Sequence, residues 1–166
     1  LIKMQDETGN SFENWGDFGG WINQLGALEK TEGYKIQVAN NCTLQVTGRV
    51  IAMPLNISLK TGWNIISYPR TDLVSAKNVV QAMIDQTKLV KVQDEAGNSI
   101  ENWGLFGGWK NGIGNFIPGK AYKVKMSADA VLAFMESYPK SALVIAHSEP
   151  TEYYSTSVEG NGTDHM

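Results

Sequence analysis

Four tryptophans stand in two matched pairs, Trp15 with Trp21 and Trp103 with Trp109. An asparagine follows each pair, Asn23 or Asn111. Aromatic faces stack on the apolar faces of sugar rings, and a nearby amide supplies hydrogen bonds, so each set is a candidate glycan platform. The competing reading is core, because aromatics dominate the interior of small β proteins. We expect the core reading to prevail, since the neighbouring residues are not matched: Asp17 stands against Leu105 and Ile22 against Lys110.

Carboxylates are the second candidate. Asp6-Glu7 and Asp94-Glu95 lie in glycine-containing turn sequences. A calcium loop needs more ordered oxygen ligands than this spacing supplies, so plain hairpin turns are expected. Glu13 and Glu101 would serve acid–base hydrolysis only across a cleft from a second carboxylate, and nothing marks a cleft. His147 and His165 stand in no order with serine and carboxylate that suggests a triad. One cysteine and two histidines give no zinc spacing. Cys42 has Ala130 as its counterpart, which reads as a small buried apolar site, and a single cysteine excludes an intrachain disulfide. We expect no catalytic residue, no metal and no cofactor.

The matched pairs belong to a tandem duplication. Trp15 and Trp103, Trp21 and Trp109, and Tyr34 and Tyr122 are each 88 residues apart. Residues 1–46 align with 89–134 without a gap, and 21 of the 46 positions are identical. That period is too long for the common solenoids and suits a small module. Each copy begins with a strand, an Asp-Glu-x-Gly-Asn turn and a returning strand, at 1–5 and 11–15 and again at 89–93 and 99–103. Further strands are read at 34–38 and 122–126, at 42–46 and 130–134, at 49–53, at 56–68 with a turn or bulge at Thr61-Gly62, and at 143–147. One helix is read at about 75–86. Ser75 is its N-cap, Val74 and Val79 form a staple, and Val79, Val80, Met83 and Ile84 make its apolar stripe. It is long enough to cross between parallel strands 65–68 and 89–92.

A net charge of −3 without basic clusters argues against nucleic acid, and no apolar run approaches the length of a membrane span. The chain starts at Leu1, and we expect it to be a segment of a longer protein.

The run Gly62-Trp63-Asn64-Ile65-Ile66-Ser67-Tyr68-Pro69, then the helix, then Val90-Lys91-Val92-Gln93-Asp94-Glu95, Gly97-Asn98, Trp103 and Gly114-Asn115-Phe116, closing on Pro118-Gly119-Lys120-Ala121-Tyr122-Lys123-Val124, resembles a repeat module of large secreted and surface proteins of Bacteroidetes. Residues 57–134 cover one unit of that resemblance, and 1–46 look like the later part of a preceding unit. The resemblance implies a non-catalytic extracellular building block with no catalytic residues to carry over. The first copy departs from it, lacking the Gly-Trp-Asn strand and the helix.

The sequence thus predicts a mainly β (α+β) chain of two tandem duplicated β-sandwich or barrel-like modules, 1–69 and 70–147, with one helix at 75–86 and a polar tail at 148–166. In one reading residues 49–68 complete the first module and 141–147 partly complete the second, which is preferred because an unfilled β edge is unfavourable; in the other the second copy is whole and the first is a truncated unit, open at an edge. The expected role is a structural or adhesive repeat, secreted or at the cell surface. Its partners would be neighbouring domains and glycans or host and surface proteins, without nucleic acid or membrane insertion. A carbohydrate-binding module is the alternative, and a hydrolase stands last.

Overall fold

The computed structural model describes residues 1–45, 48–138 and 156–158. The chain is mainly β, with several antiparallel sheets and a single α-helix among the described residues. The first copy contributes β1 (Lys3–Gln5), β2 (Ser11–Asn14), β3 (Trp21–Asn23), β4 (Lys35–Gln37) and β5 (Cys42–Leu44). Then come β6 (Leu55–Leu59), β7 (Gly62–Ser67), β8 (Val74–Ser75) and α1 (Ala76–Asp85). The second copy gives β9 (Leu89–Gln93), β10 (Ser99–Asn102), β11 (Trp109–Asn111), β12 (Asn115–Phe116), β13 (Ala121–Met126) and β14 (Ala130–Phe134), and β15 (Thr156–Val158) follows.

The duplication holds at the level of register. Lys3 pairs with Glu13 and Gln37, and Lys91 pairs with Glu101 and Lys125. Phe12 faces Asn23, as Ile100 faces Asn111. The first sheet runs β3-β2-β1-β4, and the second runs β11-β10-β9-β13-β7. Both are open, so the barrel-like expectation is corrected: neither sheet returns to its first strand.

The helix forms where its apolar spacing predicts, burying Ala76, Val79, Val80 and Met83. Ser75 precedes it, but the Ser75 side chain makes no capping bond. The first-turn amide of Ala76 instead donates to the Gly114 carbonyl at 2.9 Å. The helix links β7 to β9, and both pair antiparallel with the strand between them, β13. They therefore run parallel in one sheet, as the crossover reading requires. In β6, Leu55, Ile57 and Leu59 point inward and Asn56 and Ser58 outward, the period-2 pattern of a strand with one dry face.

These elements enclose one core. β6 pairs with β14, and with α1 this ribbon covers the face of the second sheet that bears Val92, Ile100 and Val124. The core aromatics are Tyr68, Phe116, Tyr122 and Phe134. Tyr68 meets Phe116 and Phe134 edge-on at 5.5 and 5.6 Å between ring centres. Burying these side chains is the main stabilising term, of order 1.5–3 kcal/mol each.

Three further expectations fail. Residues 49–68 do not complete the first copy, because β6 and β7 pair with β14 and β13 of the second. Residues 49–53 form no strand. Cys42 is exposed, since no layer equivalent to the α1 cover closes over its strand among the described residues. The strand read at 143–147 lies outside the described residues, as do His147 and His165.

The copies meet through residues 30–33. Gly33 donates to the Ile65 carbonyl at 2.9 Å, Glu32 bridges to Ile66, and the Ser67 hydroxyl donates to the Lys30 carbonyl at 2.7 Å. A Cβ on Gly33 would lie 2.6 Å from the Ala121 Cβ and 2.8 Å from the Ile66 carbonyl oxygen, so the approach requires glycine.

Candidate functional site

The candidate site is the loop between β2 and β3, and its twin between β10 and β11. Asn14 closes the strand by accepting from the Gly16 amide at 2.8 Å, and Asn102 does the same for Gly104. A 3-10 turn follows at Gly16–Phe18 and at Gly104–Phe106. The Trp15 amide reaches the Gly20 carbonyl at 2.8 Å, and the Trp103 amide reaches Gly108 at 2.9 Å. Gly20 and Gly108 sit at φ 65° and 62°, a region that L side chains rarely adopt, which fixes the sequence of the turn.

This geometry pushes aromatic rings outward. Phe18 is 92% exposed and Phe106 88%, while Trp15 and Trp103 are 49% and 54% exposed. Trp15 and Trp103 are therefore not core, contrary to expectation. Each indole N–H donates to the strand glutamate two residues back, Glu13 or Glu101, at 3.3 Å. Those glutamates also pair with lysine on the neighbouring strand, Lys3 at 3.1 Å and Lys91 at 2.9 Å. A hydrogen bond from Ser11, then Lys3, holds the Glu13 carboxyl below its ordinary range; Lys91, then Trp103, does so for Glu101. With the polar edge of the indole engaged, a ring face stays open for stacking. The glutamates thus orient the tryptophans.

The second tryptophan of each pair diverges. Trp21 stacks on Phe12 at 5.0 Å and is 46% exposed, whereas Trp109 is half-buried against the core. Asn23 and Asn111 do not present their amides. Each spends both side-chain atoms on one backbone turn, Asn23 with Gly26 at 3.0 and 3.1 Å and Asn111 with Gly114 at 2.9 and 2.8 Å. The six residues singled out from sequence therefore split three ways. Trp15 and Trp103 project, Trp21 and Trp109 lie against the sheet, and the asparagines lock turns.

Phe18, Phe106 and Leu105 were missed by sequence reasoning. The available signal was glycine on both sides of a short aromatic segment, which marks a turn tip rather than a packed strand. Asp6 is turned into its own loop, accepting from the amides of Thr8, Gly9 and Asn10 at 2.8–2.9 Å. Burial opposes its ionisation, but the bonds from Thr8 and Asn10 outweigh this and lower its pKa. Among the described residues no three His, Cys, Asp or Glu side chains converge on a common point.

A solvent-open cleft of ≈ 430 Å³ lies between the copies, with Tyr34, Ile36 and Leu44 on one side and Asp94, Glu95 and Lys120 on the other. No described helix is long and apolar enough to cross a membrane. No family model matches the chain, and no curated protein or solved structure matches it with significance.

Proposed function

We propose that this chain is a non-catalytic, structural and adhesive segment of a secreted or cell-surface bacterial protein, built of two tandem modules, with the aromatic loops as its contact points. The observation that carries this is the presentation of Trp15 with Phe18, and of Trp103 with Phe106, on two loops with the same hydrogen bonds. A chain gains little stability by holding large rings in water, so a repeated, rigid display of them is best explained by contact with something else. Neighbouring domains of a longer protein, glycans and host or surface proteins are the partners of this reading. The resemblance to Bacteroidetes surface modules motivates its placement outside the cell.

The carbohydrate-binding reading is favoured by one feature, the Glu13 and Glu101 bonds that fix the indoles while leaving a face free. A glycan array probed with the full chain tests both readings, beside Trp15→Ala/Trp103→Ala and Phe18→Ala/Phe106→Ala variants. Glycan binding lost in folded variants makes the module carbohydrate-binding. Glycan binding unchanged in both variants overturns the loops as contact points. Hydrolysis of any arrayed glycan overturns the non-catalytic reading.

A further inference from the structure

The outer face of the second sheet, turned away from the core, carries a row of charge. Lys110, Glu101, Lys91, Lys125 and Trp63 are successive cross-strand neighbours on β11, β10, β9, β13 and β7. Their contacts place them on one side. Lys91 pairs with Glu101 at 2.9 Å, Glu101 accepts from the Trp103 indole at 3.3 Å, and the Lys125 ammonium lies 5.6 Å from the centre of the Trp63 ring. The first copy packs on this face at its Ile65–Ala121 corner, where Gly33 approaches, and leaves Lys125 exposed and Trp63 45% exposed. β10, which leads into Trp103, and β7, which bears Trp63, are three strand steps or roughly 14 Å apart. A ligand touching both indoles is therefore a chain of several rings.

Glu101 cancels the charge of Lys91, but Lys110 and Lys125 have no carboxylate partner among the described residues. The face is thus positive on a chain whose net charge is −3. Strand alternation conceals this in the sequence, where the lysines are scattered and meet only by cross-strand pairing. The excess is particular to this copy. Lys91, Glu101 and Trp103 have Lys3, Glu13 and Trp15 as counterparts, with the same ion pair and indole bond. Lys110 and Lys125 have Ile22 and Gln37, and Trp63 has no counterpart. To a common scaffold the second copy adds two free cations and another tryptophan.

We propose that this face binds an acidic linear polysaccharide, its rings stacked on Trp63 and Trp103 and its carboxylate or sulfate groups held by Lys110 and Lys125. The proposal rests on the reading of the aromatic loops as contact points and gives one of them a ligand class. Indole faces account for the sugar rings and unpaired ammonium groups for the acid. The contact with Trp63 does not withhold Lys125. An exposed cation–π contact is weaker than a charge-assisted hydrogen bond, so an acid group draws the ammonium off the ring and frees it for stacking. A nucleic acid fits less well, because two free cations are few for a backbone charged at every unit.

Calorimetric titration of the full chain tests this with a galacturonate oligomer, a sulfated galactan oligomer, their methyl-esterified and unsulfated forms, and an oligothymidylate. At least one acidic oligomer is expected to bind about tenfold or more tightly than its neutral form, and more weakly in added salt. Which of the two binds tells carboxylate from sulfate. Lys110→Gln/Lys125→Gln should abolish the preference for acid, and Trp63→Ala should weaken binding about tenfold, both in chains that keep the parent's cooperative unfolding. Gln37→Glu, at the first-copy counterpart of Lys125, should change nothing. The proposal is overturned if no acidic oligomer binds, if acidic and neutral forms bind equally, if the folded lysine variant keeps the preference, or if oligothymidylate binds as tightly. A Trp103→Ala chain separates the two readings. Neutral-glycan binding lost there, with no preference for acid, keeps the loop as a contact point and removes the acidic face. Acidic binding that survives there, but falls with Trp63→Ala, removes the loop and leaves the lysines with Trp63 as the site.

Discussion

Single residues show how closely the copies repeat and where they part. The Tyr34 hydroxyl accepts from the Glu29 amide and that of Tyr122 from the Ile117 amide, both at 2.9 Å and both five residues back. Tyr122 is the more deeply set, and burial pushes its phenol up to about 12. The fold thus prefers the protonated phenol. Its contribution is complete below the unfolded value near 10 and is lost as pH rises toward 12. Urea midpoints are expected to fall over that window, and Tyr122→Phe should shallow the fall at a cost of about 1 kcal/mol at neutral pH, because the Ile117 amide loses its acceptor. Tyr68, raised by burial too, should keep part of the slope. A slope untouched by Tyr122→Phe would place the titration elsewhere. The tryptophans give a second expectation. Trp15, Trp21, Trp63 and Trp103 are exposed, so folded-state emission should lie close to that of the unfolded chain and be readily quenched by acrylamide. A blue-shifted, quencher-resistant spectrum would contradict the outward loops. Tryptophan in a small β protein reads as core by composition alone. At Trp15 and Trp103 it is the following glycine turn and the bond to the glutamate two residues earlier that hold the ring outward.

At the scale of elements, local pattern was legible and partnership was not. The 3.6-residue spacing of Val79, Val80 and Met83 located α1, and the turns at Asp6–Asn10 and Asp94–Asn98 located both hairpins. The strand read at 49–53 did not form, because an apolar run becomes a strand only when a neighbour pairs with it. The short 3-10 turns and β12 carry too few residues to show a period. The presence or absence of a cover then makes equivalent residues unequal. Ile100 lies beneath the cover and is fully buried, while its counterpart Phe12 is half-buried. Ile100→Ala should destabilise by about 3 kcal/mol, as a cavity in a closed core does, and Phe12→Ala by about 1 kcal/mol despite the larger side chain removed. Chemical denaturation of the two variants decides this. Equal losses would mean that the first copy is as well covered as the second.

At the scale of the whole molecule, the duplication was readable but the ownership of residues 55–67 was not. Sequence order places them after the first copy, and nothing local tells a strand which of two similar sheets it joins. The outcome rests on long-range pairing: β7 lies between β13 on one side and residues 32–33 of the first copy on the other. That second side is held at Gly33, whose counterpart in the repeat is Ala121. Comparing the copies alone, Gly33→Ala looks harmless, since it installs the residue the other copy already has. The geometry says otherwise, because the added Cβ would meet the Ala121 Cβ at 2.6 Å and the Ile66 carbonyl at 2.8 Å, neither of which is the far end of a flexible side chain. Gly33→Ala should therefore cost about 1–3 kcal/mol, and Gly33→Val more. The loss should fall on the contact between copies rather than on the core around α1. Calorimetry of Gly33→Val is expected to resolve an early transition for the first copy and a later one near the parent for the second. A single transition lowered as a whole would show instead that the two copies fold as one cooperative unit, with the first copy held by more than its contact at Gly33.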